Sequence, residues 1–439
     1  MRNGGLPVEK EKLKELIVSQ KERFLARKGL VPRDVLREIT NYLPQREMII
    51  LTGVRRSGKS SLMRLICDDL LVRDSVPENS ILYVNFEDER FINFTVDDFE
   101  TLYDSYLELE NPQGRKYLFL DEIQNVKGWE RWLNRLYEFE DIKIFVTGSN
   151  AAMLSSEIAT ALTGRNRQIV NWPFSFREFL VMRDELPDGK ALYRKEVKHG
   201  VIRLFSQYLE LGGFPEVLKS NETSILEQYY RDILYRDVIA RHGIRNVVEI
   251  KELALFLASN PATVQSYKNM KMLIGVKSLS TVKTYLDVLN DVYLFLSLGL
   301  FDYSVKRQIY NPSKIFCIDT GLCNAVSFRF SRNSGHLLEN LVCVELLRRR
   351  AELYYWKSAK GREVDFVMRR GSDIEQAIQV SHSLADDKTR ERELRALLDA
   401  REELKAEKLT VITEDEEGSI IRDGVTVEIV PAWKWSMRG

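Results

Sequence analysis

The chain has 439 residues, 44% hydrophobic and 30% charged, with 65 lysines and arginines balancing 65 aspartates and glutamates. Zero net charge excludes a molecule drawn as a whole to nucleic acid, so any such binding has to come from a local basic patch. At roughly 150 residues per domain, the length predicts about three domains.

The four cysteines, Cys67, Cys317, Cys323 and Cys343, form no Cys-x-x-Cys pair and no zinc-like spacing against histidine. They read as reduced core thiols of a cytoplasmic protein. The N-terminus is charged and has no apolar signal core. The longest apolar stretch, near 292–300, is too short to cross a bilayer, so no membrane partner is expected.

In chain order, residues 8–28 read as a charged helix with a thin apolar stripe, and 33–43 as a second helix. Buried strands and helices then alternate: strands at 48–52, 81–86, 116–120 and 143–147, with helices at 60–71, 96–109 and 129–139 between them. Residues 168–171 fit one more strand. Short, nearly all-apolar strands separated by helices predict an α/β fold, a parallel sheet covered on both faces. Residues 200–300 read as mostly helical, with a helix at 280–292 capped by Ser278-Leu-Ser280 and a strand or hairpin arm at 293–298. A strand at 314–319, a helix at 335–350 and strands at 352–356, 363–369, 374–380, 408–413 and 425–431 follow. A charged helix at 384–405 completes a separate α/β unit.

Gly53-Val54-Arg55-Arg56-Ser57-Gly58-Lys59-Ser60 lies after a strand and before a helix, the context that a phosphate-binding loop requires. Gly53 and Gly58 let the backbone fold tightly, so that successive N–H groups point inward. Lys59 is placed for the β- and γ-phosphates, and the Ser60 hydroxyl for Mg²⁺. Ser60 and Ser61 open a helix whose positive end faces the anion. Arg55 and Arg56 either meet phosphates or face outward. In the second half of the motif, Leu120-Asp121-Glu122 ends an apolar strand. Asp121 is expected in the magnesium shell, and Glu122 beside the attacking water. Thr147-Gly-Ser149-Asn150 ends the next strand. Asn150 is the first choice for a polar group reaching the γ-phosphate or the water, with Thr147 and Ser149 as alternatives. No Asn-Lys-x-Asp motif for guanine is present, so ATP is the expected nucleotide.

These strings, with Leu162-Thr-Gly-Arg165, Trp172-Pro-Phe-Ser-Phe-Arg-Glu-Phe179, Gly212-Gly-Phe-Pro-Glu216 and Tyr235-Arg-Asp-Val-Ile239, make the chain similar to an AAA+-like ATPase family widespread in archaea and bacteria. The resemblance covers about 45–435. After the N-terminal helices (1–44), it implies a P-loop ATPase core (45–200), a helical lid with a winged helix (201–305) and a C-terminal domain (306–439). Arg165, with Arg167 as the near alternative, follows the pattern of an arginine finger toward its own or a neighbouring subunit's nucleotide. In a winged helix, 278–290 is the recognition helix. Lys277, Thr281, Lys283 and Thr284, preceded by Lys268 and Lys271, then face DNA, the lysines contacting phosphates.

The C-terminal domain resembles restriction-endonuclease-type nucleases in its order of residues: Glu339 on a helix, Asp365 in a strand, Gln379 at the end of the next. There the carboxylates hold a divalent metal and a lysine two residues on helps to activate water. Ser381 stands at that lysine position, which predicts a worn site unless Lys357 or Lys360 substitutes. The sequence reading is an Mg-dependent ATPase coupled to DNA. The alternative is a slow nucleotide switch signalling through its C-terminal domain to a protein partner, with no DNA substrate. A homo-oligomer is also among the expected partners.

Overall fold

The computed structural model describes residues 9–150, 164–327 and 334–438. The chain divides into two compact units, residues 1–171 and 172–439.

In the first unit, helices α1 (Lys10–Leu25) and α2 (Leu36–Tyr42) precede β1 (Met48–Thr52), α3 (Lys59–Val72) and β2 (Ile81–Asn85). Then come α4 (Phe99–Glu110), β3 (Lys116–Asp121), α5 (Trp129–Phe139), β4 (Ile142–Thr147) and β5 (Asn166–Val170). The five strands run parallel in the order β2-β3-β4-β1-β5. Alternate residues of each strand point to opposite faces, and both faces are covered, which is why β1 to β4 read as nearly continuous apolar runs, whereas the edge strand β5 keeps Arg167 and Gln168 exposed. Ile50, Val84, Leu120 and Val146 pack with Leu16 of α1, Phe99 of α4 and Leu133 of α5. Ile49, Leu51, Phe119 and Phe145 pack with Leu62 and Ile66 of α3 and with Phe24.

The second unit opens with α6 (Phe176–Met182), whose Ser175 and Glu178 form a reciprocal capping box. Then follow α7 (Lys195–Leu211), α8 (Pro215–Ser220) and α9 (Ser224–Asp232), which runs into a wider-wound turn at Ile233–Ala240. Next come α10 (Val247–Ser259), β6 (Thr263–Gln265), α11 (Tyr267–Ile274), α12 (Leu279–Asp291), β7 (Phe295–Leu298), α13 (Val305–Tyr310) and β8 (Ser313–Cys317). Strands β6, β8 and β7 form an antiparallel sheet in that order. The strand predicted to open the C-terminal domain, 314–319, therefore pairs with the helical segment before it.

After α14 (Thr320–Val326) and α15 (Ser334–Arg348) comes a six-stranded mixed sheet, in the order β13-β14-β12-β11-β10-β9. It is built from β9 (Glu352–Lys357), β10 (Glu363–Arg370), β11 (Asp373–Val380), β12 (Lys408–Thr413), β13 (Gly418–Arg422) and β14 (Val425–Pro431), with α16 (Asp387–Leu404) and α17 (Ala432–Ser436). All four cysteines are buried. No helix among the described residues is long and apolar enough to cross a membrane.

One buried node joins several segments of this unit. Asp319, just before α14, accepts hydrogen bonds from Gly213 N at 2.6 Å and Leu322 N at 3.1 Å. A Cβ on Gly213 would stand 2.3 Å from Phe174 O, and one on Gly321 would stand 2.1 Å from Leu211 O, so neither position tolerates a side chain. Burial outweighs the backbone donors and pushes the Asp319 carboxyl up to about 6. Its folded value thus lies above the unfolded one. The associated stability is present in acid and is lost as pH rises through about 6. The stability advantage of wild type over Asp319→Asn, from urea unfolding, should shrink by about 2–3 kcal/mol between about pH 4 and about pH 7.

Candidate nucleotide-binding site

The segment between β1 and α3 is held from outside. Gly53 has φ 134°, and a Cβ there would lie 2.3 Å from Asn171 O. Asn171 N donates to Thr52 O at 2.7 Å, and its side-chain amide donates to Ser57 O at 3.0 Å and Ser57 Oγ at 3.2 Å. Arg33 donates to Ser57 O at 3.2 Å. Gly58, at φ 93°, turns the chain into α3. Lys59 is buried and donates to Gly53 O at 3.0 Å and Val54 O at 3.3 Å, while its ammonium lies 3.8 Å from Glu122 Oε1. Ser60 and Ser61 lie half-buried in the first turn of α3. Arg55 pairs with Glu87 at 2.9 Å, and Arg56 is exposed.

The sheet order inserts β4 between β1 and β3, which brings a polar strand end between the loop and the acidic pair. Asp121 is buried at 1% exposure. Its Oδ2 accepts from Tyr83 OH at 2.9 Å, and its Oδ1 accepts from Thr147 OH at 2.5 Å. The same Thr147 oxygen accepts from Glu122 N at 2.9 Å. Glu122 takes the left-handed backbone conformation, φ 53°, and its carboxylate accepts from Gln124. Burial raises the Glu122 carboxyl above its ordinary value, with the Lys59 charge opposing. A carboxylate held this way keeps its proton affinity close to the loop. Ser149 and Asn150 are buried nearby in sequence. Sequence reasoning ranked Thr147 behind Asn150, yet Thr147 is the group seen joining the acidic pair.

Arg165 is placed elsewhere. Its carbonyl accepts from Met48 N at 2.8 Å, at the start of β1, whereas the loop follows the end of that strand. Its guanidinium meets Asn134, Glu138 at 2.9 Å and the Tyr137 ring. Arg167 lies 3.5 Å from Glu47 and over Tyr42. A finger reaching the nucleotide of its own chain does not fit this position, because the whole length of β1 intervenes. Leu162 and Thr163 of that motif lie outside the described residues.

In the second unit, Lys268, Lys277, Lys283 and Thr284 are exposed, and Lys271 and Thr281 are half-buried. The nuclease-like residues do come together, but around a lysine that sequence reasoning missed. Lys314 Nζ lies 2.5 Å from Glu339 Oε1, 2.9 Å from Glu363 Oε1 and 2.9 Å from Asp365 Oδ1. Gln379 accepts from Asp365 N at 2.7 Å and donates to Glu393. Ser381 donates to Ser383 O at 3.0 Å. Of the two expected substitutes, Lys357 reaches Glu363 at 3.4 Å and Lys360 pairs with Asp399 at 3.6 Å.

A five-stranded parallel sheet with a lysine-bearing loop after β1 and an acidic pair after β3 defines a P-loop protein of the AAA class. The AAA domain profile matches residues 45–180. Two domains of unknown function follow, DUF8612 over 202–333 and DUF4143 over 334–435. The uncharacterized protein MJ1544 of Methanocaldococcus jannaschii is 35% identical over 419 residues, 91% of this chain and 90% of its own length. An uncharacterized Haemophilus influenzae protein is 30% identical over 357 residues, 79% of this chain and 86% of its own. The chain belongs to the family of these two proteins. Among solved structures, the Walker-type ATPase PABY2304 of Pyrococcus abyssi is 14% identical, covering 69% of this chain and 99% of that one, with a TM-score of 0.42. The Aeropyrum pernix ORC1 protein in complex with DNA is 14% identical, covering 70% and 95%, with a TM-score of 0.31.

Glu122→Gln should retain nucleotide binding while turnover falls by about 10²–10⁴-fold. In wild type, the acidic limb of the kcat/KM profile should fall above the ordinary carboxylate value of 4.5 and be absent from the variant. Thr147→Val should lower kcat more than it raises KM, and Thr147→Ser, which keeps the hydroxyl, should restore turnover. A purely structural defect would not separate kcat from KM in this way.

Proposed function

We propose that this protein is a magnesium-dependent ATPase whose turnover is coupled to DNA. The observation that carries the reading is the approach of Lys59 to Glu122, 3.8 Å apart, with Glu122 and Asp121 joined by Thr147, beside a loop shaped for phosphate. The loop amides and Lys59 bind the triphosphate. The hard oxygen donors, Ser60 in the first turn of α3 and the anchored Asp121 carboxylate, fit Mg²⁺. Both Asp121 oxygens already accept a hydroxyl, which suits contact through the ion's water shell. Bound there, the metal would neutralise charge between phosphoryl oxygens. Glu122 takes the proton from a water attacking the γ-phosphorus. The bond to the β–γ bridging oxygen breaks, giving ADP and phosphate.

The DNA part rests on residues 247–317. Helix, strand, two helices and two antiparallel strands, with the short α13 between those last two strands, follow in the order of a winged helix, and α12 carries exposed Lys283 and Thr284. A second reading, a slow switch acting on a protein partner, draws on the same surface. Met272, Leu273 and Leu279 are 65%, 48% and 50% exposed among those lysines. Arg165 acting on a neighbouring copy's nucleotide belongs to either reading.

Lys59→Ala should lose nucleotide binding and turnover, and unchanged turnover would overturn the assignment. Double-stranded DNA should stimulate wild-type turnover, with affinity falling steeply as salt rises. Turnover indifferent to DNA would favour the protein switch.

A further inference from the structure

The C-terminal arrangement that resembles a metal-dependent nuclease is closed around an ammonium. Lys314 projects from β8, a strand of the three-stranded sheet, and its side chain is 3% exposed. A lysine ammonium offers three N–H donors and a single compact charge. Three carboxylates, Glu339, Glu363 and Asp365, stand within 2.9 Å of it. A divalent ion would need oxygen ligands at about 2.0–2.6 Å around a point that the nitrogen already fills.

The remaining polar groups are also turned inward. The second oxygen of Asp365 accepts from Val380 N at 2.9 Å. The Gln379 amide is used by Asp365 N, Glu363 O and Glu393. As the centre stands, with Lys314 in it, no three carboxylate, imidazole or thiol groups among the described residues are set to hold a metal. The expected Lys at 381 is replaced by Ser, and a lysine arrives instead from another strand. It sits among the acids.

We propose that Lys314 is a built-in cation that takes the place of the metal in this centre, so that the C-terminal domain is held by the site and does not cleave nucleic acid with it. Removing the ammonium should uncover a divalent-cation site made of Glu339, Glu363 and Asp365.

The test compares four full-length chains: wild type, Asp365→Asn, Lys314→Met and the double variant. Mn²⁺ binding is measured without nucleotide by titration calorimetry and by the loss of the free-ion spin-resonance signal. Any Mn²⁺ held at the phosphate loop is common to all four chains and cancels. Wild type and Asp365→Asn should bind equally. Lys314→Met should bind about one ion more, with a melting temperature that Mn²⁺ raises by several degrees, and the double variant should lose both gains. Asp365-dependent binding or DNA cleavage in wild type would overturn the proposal, as would a folded Lys314→Met chain with no gain. Lys314→Met leaves the buried Glu339 and the half-buried Glu363 and Asp365 without their shared ammonium and is expected to be unstable. If it fails to fold, Lys314→Met/Glu339→Gln, with one charge fewer, takes its place. If that fails too, the wild-type and Asp365→Asn pair decides. Equal Mn²⁺ binding and no cleavage support the ammonium, and a difference between them rejects it.

Discussion

One hydroxyl orders the nucleotide site. Thr147 donates to Asp121 and accepts from the backbone of Glu122, so the end of β4 fixes both acids at the end of β3. Parallel pairing with β4 on one side of β1 and β5 on the other then sets the loop beside them. The arrangement has a backbone cost, since Glu122 is a non-glycine residue at positive φ. A threonine whose side chain replaces a missing backbone partner offsets it. Lys59, buried against loop carbonyls and near Glu122, completes a cluster whose charges are set by a few contacts within one layer of strand ends.

Much of this was legible in the chain. The glycine spacing at 53 and 58, the apolar runs and the acidic pair each follow from a local requirement of the backbone or of phosphate chemistry. The strands of the first unit were readable because a doubly covered sheet leaves uninterrupted apolar segments. Sheet order was not readable, because neighbours in a parallel sheet are joined through long crossovers. Thr147 was therefore seen as a strand end without its two partners. Strand β6 spans only three residues, Thr263–Gln265, too short to carry a period. Strand β13 was missed although its signal was present: Asp423-Gly424, both at positive φ, form the two-residue turn that pairs Arg422 with Val425.

Two of the strings that carried the family resemblance have a packing meaning in the structure. Trp172–Phe179 supplies the Phe174 carbonyl and the Ser175–Glu178 cap, and Gly212-Gly213 supplies a backbone that Asp319 and Phe174 approach closely. The constraints seen on this node are space and hydrogen bonding to the backbone, which differ in kind from those that a reaction imposes. Sequence alone offers no way to separate the two kinds of constraint, which is why these strings gave an order of parts and no chemistry.

Lys314 bears on how the second unit can be dissected. A fragment beginning near residue 306 keeps the ammonium with its acids but takes β8 away from β6 and β7. A fragment beginning after β8 loses that ammonium and leaves Glu339 and Asp365 without it, with Lys357 reaching only Glu363. The two halves of residues 247–438 thus share a residue that neither can give up, and the smallest faithful expression fragment has to contain both.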